Sequence, residues 1–165
     1  FITGKSYIYE SQVPSRAESP AHQAEYSIPF LQKVKVKDAM HTSFVTTAPG
    51  VPLSQLAGLM KANHVDGLPV VDDGTLSGIV TALDIARVPE ADWPKTPASA
   101  VMTTELVVGY TGQTLFQAWE LMNGSNISHL PIVDRKDPKK LLGMMDSRDI
   151  AACYRGVVPA VNPEA

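Results

Sequence analysis

Apolar residues recur along this chain in one rhythm, written twice. Leu53, Leu56, Ala57 and Met60 are spaced i, i+3, i+4, i+7, and so are Leu115, Ala118, Trp119 and Met122. That spacing places each set on one face of a helix. After each helix come two short runs of β-formers: Leu68–Val71 then Ser77–Val80, and Leu130–Val133 then Leu141–Met145. A short strand is expected before each helix, near Phe44–Thr46 or Leu106–Val108, closed by the turns Ala48-Pro49-Gly50 or Tyr110-Thr111-Gly112. A last helix starts at Ala82 or Ser147 and runs to about Arg87 or Tyr154. The predicted order is β-α-β-β-α, twice.

The two copies agree residue by residue. Asp38-Ala39-Met40 matches Ala100-Val101-Met102 at an offset of 62, and Thr42/Thr104, Val45/Val107 and Leu68-Pro69/Leu130-Pro131 follow it. Three extra residues within 135–140 raise the offset to 65, after which Gly78 meets Gly143 and Asp84 meets Asp149. Collinear agreement over such a length marks an internal repeat. One copy of this size buries little surface. The expected architecture is α+β, two units packed sheet to sheet as one pseudo-twofold pair.

Each copy ends in a strand that turns directly into a helix. In the first, Gly78-Ile79-Val80-Thr81 leads to Asp84, and Thr-x-x-Asp is a capping box. In the second, Gly143-Met144-Met145-Asp146 leads to Asp149. A helix start offers free N–H groups to an anion. The Thr81 hydroxyl could donate to a phosphate, and a carboxylate one turn on could accept from both hydroxyls of a ribose. The cap alone accounts for the same residues.

Composition adds mainly exclusions. A hydrophobic fraction of 44%, a charged fraction of 19% and a net charge of −3 suit a globular domain and advertise no basic face for nucleic acid. Cys153 stands alone, so no internal disulfide exists and a buried, inert thiol is expected. His22, His41, His64 and His129 lack metal-ligand spacing, and no glycine-rich phosphate loop is present. The six methionines fall on expected core or strand positions, and Asp72-Asp73 reads as a turn. Trp119 is expected in the core, and Trp93 over an apolar edge. No catalytic constellation emerges, so the chain reads as a non-enzyme.

Residues 1–33 mix Tyr7, Tyr9 and Tyr26 with several prolines and read as an extended N-terminal arm. Units follow at 34–88 and 98–155, with a linker at 89–97 and a tail at 156–165. The start lacks an initiator Met, and a fragment of a longer protein is expected.

The doubled Leu-Pro-Val-Val-Asp and Gly-Ile-Val-Thr-x-x-Asp text resembles a tandem pair of CBS domains over roughly 34–155. The resemblance implies two β-α-β-β-α units with clefts between them that take an adenine nucleotide (ATP, ADP or AMP). It implies one cleft formed by Thr81, Asp84, Thr104, Val107, Ile127, Ser128, His129 and Pro131. It implies a second formed by Thr42, Val45, Val65, Asp66, Pro69, Asp146 and Asp149. Asp146 departs from the family pattern, which has Thr or Ser there. Two unit charges ~5 Å apart at an effective dielectric of ~20 repel by about 3 kcal/mol, roughly a hundredfold in affinity. Arg148 would offset part of this. The first cleft is therefore expected to be the better nucleotide site, and the Asp149 cleft to be empty, to prefer adenosine or to need a cation. No aromatic residue stands at Val65 or Ile127, so weaker base stacking is expected.

The arm, with Ser6-Tyr7-Ile8-Tyr9-Glu10, Pro14-Ser15-Arg16 and Ile28-Pro29, is similar to the connector of prokaryotic CLC chloride channels and transporters. That resemblance implies a homodimeric regulatory module on the cytoplasmic face of the membrane, whose partner is its own transmembrane chloride-transport domain. Two alternatives stay open: an energy-sensing CBS pair of a soluble enzyme or stand-alone protein, and a ligand-free dimerisation scaffold.

Overall fold

The structure, a computed structural model, describes residues 29–155, with side chains through Cys153. The arm before residue 29 and the tail after 155 lie outside the described residues. A helical turn at 29–31 leads to α1, Val36–Ala39. The first repeat continues with α2 (Leu53–Asn63), β1 (Gly67–Asp72), β2 (Thr75–Thr81) and α3 (Ala82–Ala86). Two 3-10 turns, Glu90–Lys95 and Ala98–Ala100, connect to the second repeat. There β3 (Gly109–Tyr110), α4 (Leu115–Gly124), β4 (His129–Val133), β5 (Leu141–Asp146) and α5 (Ser147–Arg155) repeat the order.

Strands β1 and β2 form an antiparallel hairpin. Its tip, Asp73-Gly74, has φ of 47° and 76°. Positive φ at both tip residues matches the twist of the flanking strands, and Asp-Gly supplies it at low cost. Strands β4 and β5 pair likewise, and β3 adds in parallel. Both hairpins slip register at the same place, Val70/Val71 and Ile132/Val133.

The strand expected at Leu106–Val108 lies later, at Gly109–Tyr110, and that at Phe44–Thr46 shrinks to one bridge, Thr47 to Val70. Glycine is a weak strand former, which hid the first of these. Its value here is closeness: a Cβ on Gly109 would stand 2.8 Å from Ile132 Cδ1 and 2.9 Å from Leu130 Cδ2.

Each hydrophobic core is built from both repeats. One contains Leu115, Ala118, Met122, Leu130, Ile132, Met145 and Ile150, and also Leu31 and Val36 from the segment that leads into the first repeat. The other contains Leu53, Leu56, Met60, Leu68, Val70, Val80 and Ile85, and also Ala98 from the segment that leads into the second. The lead segments are thus exchanged. His41 exchanges two backbone hydrogen bonds with Met144 on β5, 2.8 and 2.9 Å. Thr103 exchanges two with Ile79 on β2, 2.9 and 3.0 Å.

These crossings explain the glycines of the two corner motifs. A Cβ on Gly78 would lie 2.8 Å from the Thr103 carbonyl oxygen and 2.9 Å from Met102 Sδ. A Cβ on Gly143 would lie 2.8 Å from the His41 carbonyl oxygen and 2.9 Å from Met40 Sδ.

The two tryptophans differ. Trp93 packs against the first-repeat core and donates its indole N–H to the Val88 carbonyl at 2.9 Å. Trp119 is not in the core; it is 44% exposed and stacks on Phe116 at 5.9 Å. The buried stripe of α4 is Leu115, Ala118 and Met122, which leaves the i+4 position at its margin.

Gly78→Ala is expected to destabilise the protein by about 1–3 kcal/mol, because a backbone carbonyl must give way. Gly58 is the control: it lies on the exposed face of α2, and a methyl group there would meet nothing within 4 Å. Gly58→Ala should stabilise by roughly 0.5–1 kcal/mol. Urea unfolding of both variants measures the pair, and equal midpoints would refute the crossing argument.

Candidate functional site

Because the lead segments cross, each strand-to-helix corner faces residues of the other repeat across a cleft. The first cleft, about 390 Å³, is lined by Thr81, Asp84, Val107, Ile127, Ser128 and His129 from the expected set. Thr104 and Pro131 do not line it. Thr103 and Glu105 on either side of Thr104 do, and Pro131 is buried inside β4. The second cleft, about 350 Å³, is lined by Val45, Val65, Asp66, Pro69, Asp146 and Asp149 as expected, but not by Thr42. Both volumes fall in the lower part of the range of roughly 300–1,000 Å³ for small-molecule sites.

The corner of the first cleft is a complete capping box. Asp84 Oδ2 accepts from the Thr81 amide at 2.8 Å and from the Thr81 hydroxyl at 2.7 Å. The Asp84 amide donates back to Thr81 Oγ1 at 3.3 Å. Asp84 Oδ1 has Arg87 at 3.6 Å. The single hydroxyl proton of Thr81 is committed to Asp84, so donation to a phosphate would require it to turn. At five residues, α3 carries little dipole for an anion.

The second corner keeps the frame with a carboxylate in place of the hydroxyl. Asp146 Oδ1 accepts from the Arg148 and Asp149 amides at 2.7 and 3.1 Å, and Asp149 Oδ2 accepts from the Asp146 amide at 2.7 Å. The Arg148 guanidinium donates to Asp146 Oδ2 at 2.8 and 3.1 Å and reaches Asp66 at 3.2 Å. Asp66 also meets His129 Nε2 at 3.3 Å, so this pair stands in the wall between the two clefts. His129 in turn lies close over Gly67, where a Cβ would come within 2.6 Å of the ring.

Net charge does not separate the clefts. Asp66, Asp84 and Glu105 with Arg87 line the first, and Asp66, Asp146 and Asp149 with Arg148 line the second. What differs is where the charge sits: at the corner itself the first cleft has a hydroxyl and the second a carboxylate. Burial of the Asp146 carboxyl would raise its pKa, but the Arg148 guanidinium and the two amides outweigh it and hold the pKa below its ordinary value. Burial, aided by Asp149, pushes the partly buried Cys153 thiol up, which keeps it protonated and unreactive.

The sequence reading missed His41, Phe44, His64, Glu105, Leu106 and Asn126. The repeat itself pairs several of them: Phe44 with Leu106, and His64 with Asn126, which share the left-handed φ of 54° and 52°. Phe44 also amends the expectation about aromatic residues, since the second cleft does hold a ring, though not at Val65. No group of three or more His, Cys, Asp or Glu side chains among the described residues is arranged to hold a metal ion. Among the same residues no helix is long and apolar enough to cross a membrane.

This architecture, an interlocked repeat with paired inter-repeat clefts, is that of the CBS domain. The family's profile matches residues 36–91 and 98–156, and the chain belongs to the CBS domain family. It is 40% identical over 118 residues to the CBS domain-containing protein YhcV of Bacillus subtilis, covering 70% of this chain and 82% of that one. It is 37% identical over 108 residues to the inosine-5'-monophosphate dehydrogenase of Rhodopirellula baltica, covering 64% of this chain but only 19% of that enzyme. The crystal structure of the CBS domain pair of protein MJ0100, in complex with 5'-methylthioadenosine and S-adenosyl-L-methionine, superposes with a TM-score of 0.65 at 26% identity. That match covers 74% of this chain and 97% of the other.

The depressed Asp146 pKa has a stability consequence. The native state keeps this charge after the unfolded chain has taken up a proton, so its contribution is full above about pH 4 and is lost as pH falls through the lower folded value. Asp146→Asn keeps a good N-cap and removes the titration. Its urea midpoint should therefore fall less steeply than that of the wild type as pH drops below about 4. Parallel curves would contradict the assignment.

Proposed function

We propose that this CBS pair is a regulatory module, not an enzyme, that binds an adenosine-type ligand in the first cleft. The observation that carries this reading is the state of Asp84. Thr81 fixes Oδ2, while Oδ1 accepts no hydrogen bond among the described residues. It is thus set to accept from a sugar diol. The facing wall, Val107 and Ile127, is apolar, comes from the other repeat, and suits the flat face of a base. The ligands of the MJ0100 pair share the adenosine moiety with AMP, ADP and ATP, which supports a nucleoside as the recognised part. Ser128 and His129 complete the proposed site, and the second cleft is the weaker one. Because each cleft is walled by both repeats, a ligand that prefers one packing of them shifts their equilibrium.

The stand-alone or enzyme-borne reading is favoured over a chloride channel. YhcV is matched over most of its length by CBS sequence, and the dehydrogenase match is a minor segment of that enzyme. The channel reading rests on the arm alone. Homodimerisation belongs to either reading.

Calorimetry with AMP tests the site. Asp84→Ala should weaken the tighter site by about tenfold or more, since it removes a charged acceptor. On the Asp84→Ala background, Asp146→Thr should strengthen AMP binding at the second cleft by about tenfold, because it deletes a corner charge and frees Arg148. Absence of heat with the wild type would overturn the ligand reading and favour the scaffold.

A further inference from the structure

The two corner carboxylates sit in the same frame but in different states. Among the described residues Asp84 Oδ1 meets only Arg87, at 3.6 Å. Asp149 Oδ1 is hydrogen-bonded to Nε2 of His41 at 2.5 Å. His41 comes from the lead segment of the first repeat, and its counterpart is Thr103, which makes no such bond to Asp84 among the described residues. Both residues are pinned by two backbone hydrogen bonds to a strand of the other repeat, His41 to Met144 and Thr103 to Ile79. The imidazole therefore hangs from a fixed backbone over a carboxylate that is 12% exposed, while its own side chain is 59% exposed. An N–H donor stands where a sugar hydroxyl would have to donate.

We propose that His41 is a built-in competitor for sugar hydroxyls at Asp149, and that it sets which cleft takes an adenosine ligand first. This rests on the reading of the clefts as adenosine sites. With three carboxylates and one arginine around each cleft, net charge gives no such order. A ligand entering the second cleft must swing the imidazole outward, which its exposure allows. It must also break a hydrogen bond to a charged acceptor, a loss that only its own hydroxyls can replace. In the first cleft no such exchange is needed. The device selects between sites by an internal donor, and it acts equally on phosphorylated and unphosphorylated ligands. That separates it from the Asp146 charge, which discriminates only against phosphate.

The test is equilibrium titration of the full chain with adenosine, whose lack of phosphate silences the Asp146 effect. On an Asp84→Ala background only the second cleft reports. His41→Thr, which places the first cleft's residue at the same backbone position, should tighten adenosine binding there by about tenfold, the scale of one charge-assisted hydrogen bond. His41→Ala should do the same, and adding Asp149→Ala should abolish the gain. Unchanged affinity in both His41 variants, or a gain that survives Asp149→Ala, would overturn the proposal. If the wild type binds adenosine and loses it with Asp84→Ala while His41 substitution changes nothing, only the role of His41 falls. If neither the wild type nor any variant binds adenosine, the adenosine reading falls as well.

Discussion

The structure depends on two backbone crossings. At Gly78 and again at Gly143, the lead segment of one repeat passes over a strand of the other so closely that a methyl group would strike a carbonyl oxygen. The crossings place Leu31 and Val36 in one core and Ala98 in the other. Neither repeat owns a complete core, so the halves cannot separate without exposing apolar surface on both. The same crossings carry His41 and Thr103 to the rims of the clefts. The residues that line the clefts and those that complete the cores are thus set by the same crossings.

Within that symmetric frame the chemistry is asymmetric. Thr81 and Asp146 occupy equivalent caps, and both satisfy the helix start, so the fold is indifferent to the exchange. The clefts are not. One presents a carboxylate with an open oxygen. The other presents a carboxylate bonded to His41 and a second one neutralised by Arg148, which also ties the corner to the shared Asp66–His129 wall.

Much of this was legible in the sequence, because local pattern sets local structure. The 3.6-residue period placed α2 and α4, short runs of β-formers placed both hairpins, and matching at offsets of 62 and 65 paired the corners. Exchange of the lead segments was not legible in the periodicity, which records which face is buried and not which partner buries it; only the family resemblance set Thr104 and Val107 opposite Thr81 and Asp84. His41 and Glu105, which it did not name, reach the clefts through the crossings. Trp119 misled for a related reason. Its position suits a wide helix face, but α4 buries a narrow one and leaves the indole at the edge. Thr42, Thr104 and Pro131, which the family resemblance implied, each stand within two residues of a lining position.

The central claim is that the crossings make one cooperative unit of the two repeats. Native-state hydrogen exchange of four amides reads it directly: His41, Ile79, Thr103 and Met144, the donors of the crossing bonds. All four should exchange only through global unfolding, with one common free energy equal to that from urea denaturation. Exchange of His41 and Met144 at a clearly lower free energy than Ile79 and Thr103, or the reverse, would show that one crossing opens alone and would contradict the account.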